Sequence, residues 1–418
     1  MAFKAPRGTR DILPDEASRW EFLENSFRER CRLYGFQEIR TPIFEHTELF
    51  VRSVGESSDI VSKEMYTFHD RSGRSLTLRP EGTAAVVRAY LENGLHEKPH
   101  PVKLYYFGPM FRYDRPQAGR YRQFHQFGLE LFGSPQPSAD VEIMALSYDM
   151  LRSLPLPEFR LELNSVGCRE CRPGYRERLR EYLRFREEEL CPDCSRRYRE
   201  NPLRVLDCKK PECKDLSAGA PLLTQSLCPQ CAGHLARVRE LLERLELPYV
   251  LNPRLVRGLD YYTRTAFEFV APELGAQASL GGGGRYDALV EECGGPPTPG
   301  VGVAFGLERI ILLADWKERL EAGPVPVFLA VAGEGLEEEA LLLAREIRAL
   351  GVPAEVELGG RSLKSQMKYA GKKGFARVII IGSRELEQDR FLWRDMVDGS
   401  QVLVSREELR QRLLEQEG

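Results

Sequence analysis

No apolar run in the 418-residue chain approaches the ~20 residues that a helix needs to cross a bilayer. The first ten residues, Met-Ala-Phe-Lys-Ala-Pro-Arg-Gly-Thr-Arg, carry no apolar segment of the kind a secretory signal needs, so a cytoplasmic protein is expected. An excess of either charge is also missing: 60 Lys and Arg stand against 63 Asp and Glu, a net charge of −3. The molecule is therefore not basic overall, and any nucleic-acid contact has to come from a local patch. Cysteine is nearly absent outside one stretch: Cys31 and Cys293 stand alone, and the other eight of the ten fall between residues 168 and 231. Thiols clustered in a reducing compartment point to metal rather than disulfides. The common nucleotide fingerprints are lacking too. Gly281 to Gly284 form a glycine run, but no Gly-Lys-Ser or Gly-Lys-Thr follows, and the spacing is not that of a dinucleotide-binding turn. What remains, 42% hydrophobic and 29% charged, is a globular composition at a length that favours two or three domains.

Positive charge is concentrated in one place. Arg112, Arg115, Arg120 and Arg122 alternate with Phe111, Tyr113, Tyr121 and Phe124. A guanidinium cannot give up its charge, and its planar fork suits phosphate and carboxylate. Aromatic neighbours can stack on a base. A solvated basic loop would not keep so many aromatics in water, so an anion, and a nucleotide above all, is expected here.

Periodicity organises the rest. Apolar residues at helical spacing from Trp20 to Tyr34 predict a helix that stops at Gly35. Phe36 to Phe44 reads as strand-like but interrupted by Pro42, which favours an edge strand or a strand end. Ser75 to Arg79 reads as a strand, and Pro80-Glu-Gly-Thr opens a helix to about Tyr90. Val102 to Phe107 and Phe124 to Phe132 read as strands joined by the arginine stretch as a long hairpin loop. From about 165 to 250 the chain turns rich in Arg, Glu and Cys and poor in strand signal. Strands resume at Phe267 to Val270 and at Gly300 to Gly306, the latter leading into a helix from Leu307. After a linker with Gly323, Pro324 and Pro326, strands and helices alternate, which predicts a small α/β domain.

Several constellations carry chemistry. Arg257-Gly-Leu-Asp-Tyr-Tyr262 suits a pocket wall with one fixed cation and two phenols. The glycine run fits equally a close-lying flat ligand and tight backbone packing. Arg309 at a helix start could reach a phosphate or simply cap the surface. The cysteines form the pairs Cys168/Cys171, Cys191/Cys194, Cys208/Cys213 and Cys228/Cys231. Two tetrathiolate zinc sites fit that count; their role would be structural, and the pairing stays open. Lys364, Lys368 and Lys372 recur at i, i+4, i+8, with Lys373 and Arg377 nearby, a stripe that is either solvated or a phosphate contact.

Thr41 to Glu45, Phe111 through Glu130 and Gly302 through Arg309 resemble motifs 1, 2 and 3 of class II aminoacyl-tRNA synthetases. Leu255 to Tyr262 and Ser279 to Asp287 resemble the two histidine-specific segments of the histidyl-tRNA synthetase family, and the likeness extends from Pro6-Arg-Gly-Thr-Arg-Asp11 to the terminal domain. The resemblance implies an α+β protein. Its class II catalytic domain, built on an antiparallel sheet with helices, would span 1–322, with an inserted, mainly helical Cys-rich domain at 168–250. An anticodon-binding α/β domain with a mixed sheet would follow at 325–418. It implies activation of L-histidine by ATP with Mg2+, transfer to the tRNA 3′ end, and a homodimer. By resemblance Arg112 holds the α-phosphate and histidine carboxylate, Arg309 the γ-phosphate, and Arg257 the α-phosphate again. Glu81, Gly82, Thr83 and Gln126 would line the amino-group side, with Glu130, Tyr261 and Tyr262 around the imidazole. Arg115 and Gln117 would meet the tRNA acceptor end, and the lysine stripe the anticodon arm. A non-catalytic relative, the synthetase-like regulatory subunit of ATP phosphoribosyltransferase, is the competing reading; it lacks the terminal domain and parts of the catalytic motifs.

Overall fold

The computed structural model describes residues 3–55, 58, 60–208, 210–316 and 326–415. Its contacts divide the chain into two compact units, Met1–Leu320 and Glu321–Gly418. Gly323 and Pro324 of the expected linker lie outside the described residues. Among the described residues no helix is long and apolar enough to cross a membrane.

The strands of the first unit are β1 (Gln37–Glu38), β2 (Phe44–His46), β3 (Tyr66–His69), β4 (Ser75–Leu78), β5 (Val102–Phe111), β6 (Gln123–Phe132), β7 (Arg160–Ser165), β8 (Tyr249–Leu251), β9 (Thr263–Val270), β10 (Ser279–Arg285) and β11 (Gly300–Gly306). Eight form one sheet in the order β1-β5-β6-β11-β10-β9-β7-β8, and β2-β4-β3 form a small second sheet. The centre of the large sheet is antiparallel, whereas its edge pairs β1·β5 and β7·β8 are parallel. The hairpin strands β5 and β6 pair from Val102↔Phe132 to Phe111↔Gln123, so they run further toward the arginine loop than the apolar pattern alone predicts.

The strand-like stretch Phe36 to Phe44 is broken at Pro42. Pro42 lacks an N–H for the ladder, and the chain splits into β1 in the large sheet and β2 in the small one. The buried Arg79 guanidinium fills the gap, donating to the Thr41 carbonyl at 3.0 Å and the Pro109 carbonyl at 2.9 Å.

One face of the large sheet is packed by the helices Pro14–Leu33 and Pro137–Arg152, with Trp20, Leu23, Phe27 and Met144 meeting Phe127, Phe269 and Phe305. The cysteine-rich stretch folds into the helices Cys171–Leu183, Pro192–Glu200, Pro211–Ser217 and Pro229–Arg244. Proline at the first helical position of the last three sacrifices only an N–H that has no helical partner. The last of these helices buries Val238 and Leu242 in the main core, and the chain after it joins the large sheet as β8.

The second unit contains β12 (Val327–Ala332), β13 (Ala354–Val356), β14 (Arg377–Gly382), β15 (Arg390–Asp395) and β16 (Gln401–Ser405) in the order β13-β12-β14-β15-β16. The first three run parallel and the rest antiparallel, a mixed sheet. Val327, Leu329 and Ile379 are buried on one face while Phe328, Ala330 and Ile380 are buried on the other, which explains why these strands read as continuous apolar runs.

Candidate active site

Alternation along the central strands separates two populations of side chains. Phe127, Leu129 and Leu131 of β6 enter the core. Gln126, Gly128 and Glu130 take the other face, where β10 and β11 present Gly282, Gly284 and Gly302. A Cβ on Gly282 would strike the Arg257 guanidinium, and one on Gly302 would strike the Glu130 carboxylate. Within the protein the close neighbours of the glycine run are Arg257, Tyr262, Phe305 and adjoining backbone.

A pocket of about 820 Å³ opens on this side of the sheet, with Glu81, Arg112, Gln126 and Arg257 in its wall. The arginine loop contributes Arg115, Gln117 and Arg120 to its rim. Arg112 lies over the Phe124 ring at 4.1 Å and donates to the Tyr121 carbonyl at 3.1 Å. Burial, and then the nearby Arg120 and Arg309, pushes its guanidinium down to about 10. An arginine stays cationic at neutral pH regardless; the depression records burial first and the field of the neighbouring guanidiniums second, both of which a phosphate or carboxylate beside it would offset. Arg309 is lowered for the same reasons, burial first and Arg120 second, and it donates to the carbonyls of Gly119 at 3.2 Å and Ser279 at 2.6 Å. Arg257 differs. Burial pulls its guanidinium down, but Glu268 at 3.4 Å, Tyr262 and Tyr261 more than restore it. Its Nε and the Gln126 Oε1 are buried without a hydrogen-bond partner.

Glu130 sits deeper, completely buried. Thr83 Oγ1 donates to one carboxyl oxygen at 2.7 Å and the Tyr286 hydroxyl to the other. Burial pushes the carboxyl up to about 8, although both hydroxyls pull the other way. Tyr106, Tyr261, Tyr262 and Tyr286 crowd around it, with ring centroids of Tyr261 at 4.6 Å from Tyr262 and 5.7 Å from Tyr286. Glu81 is held by the N–H groups of Thr83 at 2.7 Å and Ala84 at 2.9 Å, at the start of the helix Thr83–Glu92 that Gly82 precedes. Gly82 leaves room for the Tyr106 ring.

Of the sequence-predicted residues, Glu81, Arg112, Arg115, Gln117, Gln126 and Arg257 are gathered in one pocket wall. Gly82, Thr83, Glu130, Tyr261 and Tyr262 form the buried layer joined to it, and Arg309 bridges the loop tip to β10. Arg120 pairs with Asp114 and, at 3.6 Å, with Glu64, while Arg122 stacks on Tyr113 at 4.1 Å, so both order the loop. Tyr106 and Tyr286 were given no role by sequence reasoning: Tyr106 looks like an ordinary strand residue, and Tyr286, although inside the segment Ser279 to Asp287, like a strand-end aromatic, while the glycines beside them leave the space they fill. Lys364, Lys368 and Lys372 lie in the second unit, all exposed along the helix Leu363–Lys373.

The cysteines assemble as two groups, Cys168/Cys171/Cys228/Cys231 and Cys191/Cys194/Cys208/Cys213, whose sulfurs lie within 4.8 Å of one another and could hold a metal ion. The pairing is nested: the first pair joins the last, enclosing the middle two.

A hairpin arginine at one end of an antiparallel sheet, answered by a second arginine just after the neighbouring strand, is the arrangement of the class II aminoacyl-tRNA synthetases. A family model described as Histidyl-tRNA synthetase matches residues 8–310, and one described as Anticodon binding domain matches residues 326–416. The Histidine--tRNA ligase of Desulforamulus reducens is 54% identical over 412 residues, 98% of each chain, and that of Desulforudis audaxviator 56% over 418 residues, 99% of each. The apo histidyl-tRNA synthetase structure of S. aureus superposes with a TM-score of 0.81 at 38% identity, covering 99% of this chain and 100% of that one. The chain belongs to the histidyl-tRNA synthetase family.

Proposed function

We propose that the chain is a histidine–tRNA ligase, and that the residues gathered on the side-chain-poor face of the large sheet carry both steps. The histidine carboxylate attacks the α-phosphorus of ATP, the bond to the bridging oxygen breaks, and pyrophosphate leaves. A ribose hydroxyl of the tRNA 3′-terminal adenosine then attacks the mixed anhydride and releases AMP. In the first step the nucleophile is already an anion, so no protein base is required. The barrier lies in charge repulsion at phosphorus and in alignment. Mg2+, carried in with the nucleotide as its counter-ion, would supply charge neutralisation for the phosphates.

The chain's own residues address the rest. Arg112, buried and crowded by Arg120 and Arg309, is assigned to the α-phosphate and the histidine carboxylate. Arg257, held over the glycine strand in the same pocket wall, is assigned to the α-phosphate as a second cation. Arg309 is assigned to the γ-phosphate. Glu81, Thr83 and Gln126 are assigned to the amino group, and Arg115 and Gln117 on the rim to the acceptor end.

One observation carries the amino-acid identity: the sealed Glu130. A neutral imidazole presents one donor and one acceptor nitrogen, and a carboxyl near neutrality flanked by hydroxyls can meet either. A site built to pair both ring nitrogens rejects isosteres that cannot pair them. Tyr261 and Tyr262 complete the walls.

In the second unit the exposed lysines are assigned to the tRNA backbone. Exposed Ile43, Phe44 and Phe68 at the small sheet support a homodimer through that surface. The eight thiols suit structural zinc, and cytoplasmic residence would keep them reduced. Arg112, Arg257 and Arg309, present together, favour ligation over the regulatory reading. Histidine-dependent ATP–pyrophosphate exchange tests the proposal. Exchange with histidine and not with other amino acids is expected, and histidine binding without exchange overturns it in favour of the regulatory role.

A further inference from the structure

We infer that each four-cysteine group holds one zinc ion, and that the ion on Cys191, Cys194, Cys208 and Cys213 positions a wall of the aminoacylation pocket. The second clause rests on the function proposed above.

The donor geometry supports the metal. Four thiolates at a Zn–S distance of about 2.3 Å in a tetrahedron stand about 3.8 Å apart. Cys168 Sγ lies 3.6 Å from Cys171 Sγ and 3.8 Å from Cys228 Sγ, and Cys191 Sγ lies 4.0 Å from Cys208 Sγ. These spacings are far from the roughly 2.05 Å of a disulfide. They are also too tight for a cluster of several irons and sulfides to fit between the thiolates. Backbone N–H groups already point at the sulfurs: Cys228 N donates to Cys171 Sγ at 3.1 Å and Cys191 N to Cys213 Sγ at 3.4 Å, the outer hydrogen bonding that steadies metal thiolates. Cys191 and Cys228 are N-caps of proline-started helices, and their partners Cys194 and Cys231 sit one turn in, so each local pair is set by a helix start. Four protein ligands leave no open position, so neither ion supplies a reactive water.

The two groups stand in different places. Cys168 follows β7, and Cys228 starts the helix that returns to the core, so the outer group clasps the insertion at its base. The inner group is part of the pocket: Cys191 and Cys208 share its wall with Arg112 and Arg257. Its ligands bracket the short segment from Asn201 to Asp207. Leu203 and Val205 of that segment are buried with Tyr261 and Tyr262, and Asn201 Nδ2 donates to Asp260 Oδ1 at 2.9 Å. Arg204 and Asp207 stand on the wall beside Arg257. Little regular structure holds this segment: one turn of 3-10 helix, Pro202–Val205. A metal knot at both ends is what fixes Arg204 and Asp207 as positioning residues.

The test uses full-length protein purified without chelator. Metal analysis should find one zinc per group, with Cys208→Ser/Cys213→Ser and Cys168→Ser/Cys171→Ser each losing one. After Co2+ replacement, ATP plus histidine should shift the Co2+ absorption of the Cys168→Ser/Cys171→Ser protein and leave that of Cys208→Ser/Cys213→Ser unchanged. If either double variant fails to fold, the same titration on the wild-type Co2+ protein decides, because part of its absorption should shift. The kcat of ATP–pyrophosphate exchange should fall on the order of 10-fold in Cys208→Ser/Cys213→Ser, as misplacement of a positioned group predicts. Absent zinc, or a Co2+ spectrum indifferent to substrates, overturns the inference. An active exchange reaction without zinc sinks the metal alone, whereas zinc without exchange sinks the ligase reading and leaves the tetrathiolate sites standing.

Discussion

The arginines of the first unit and the lysines of the second are both cations proposed to meet phosphate, yet the protein holds them in opposite ways. Arg112 is stacked on Phe124, tied to the Tyr121 carbonyl and pressed by two other guanidiniums. Lys364, Lys368 and Lys372 stand in water along one helix face. A planar fork in a buried wall discriminates by direction, while a flexible ammonium in solvent contributes field that salt screens. The difference teaches where selectivity and where mere adhesion should be sought.

The largest effect should follow removal of a wall cation. Arg257→Ala and Arg112→Ala are each expected to lower kcat/KM of pyrophosphate exchange on the order of 10³-fold, about 4 kcal/mol, the scale of one lost preorganised charge. Arg112→Lys should recover little of it, because an ammonium cannot reproduce the fork; full recovery would show that charge alone matters there.

Next comes Glu130. Glu130→Gln should raise KM for histidine about 10- to 100-fold, measured by exchange, since the amide cannot change its donor and acceptor pattern with the ring. It should also alter the pH dependence of stability. The folded carboxyl is raised to about 8 from the ordinary 4.5. Its contribution is therefore fully present below the ordinary value and lost as pH rises through about 8. Urea melts at about pH 6 and about pH 9 should show wild-type stability falling more steeply with pH than that of Glu130→Gln. Equal slopes would contradict the buried, protonated carboxyl.

The lysine stripe should matter less and differently. Replacing Lys364, Lys368 and Lys372 by Ala should weaken tRNA binding roughly 10-fold and reduce the salt slope of log K by about 2 to 3, leaving exchange untouched. Smallest of all, Arg115→Ala with Gln117→Ala on the exposed rim should raise KM for tRNA about 3-fold with exchange unchanged, a surface contact rather than a buried one. If the rim pair proved more costly than the stripe, the acceptor end rather than the anticodon arm would dominate adhesion.

Much of the scaffold was legible because it is periodic. β5 and β6 are rich in apolar and aromatic residues, and the second unit's strands are apolar on both faces. Pro42 was visible, but a break into two sheets depends on Arg79, which lies far along the chain. Arg112, Arg257 and Arg309 were legible as motif residues, while Tyr106 and Tyr286 were not, since nothing local separates a core tyrosine from a pocket tyrosine. The cysteine pairing is long-range for the same reason: spacing reveals pairs, and only the fold decides which pairs meet.

Gly282 and Gly302 have one further consequence. A glycine can be replaced only by something larger, and at these two positions the first added carbon would fall on the Arg257 guanidinium or the Glu130 carboxylate. This part of the molecule is therefore vulnerable to gain of matter and not to loss. A survey that trims side chains to alanine would look for missing contacts and misread what happens here, because the damage comes from the atom that alanine brings.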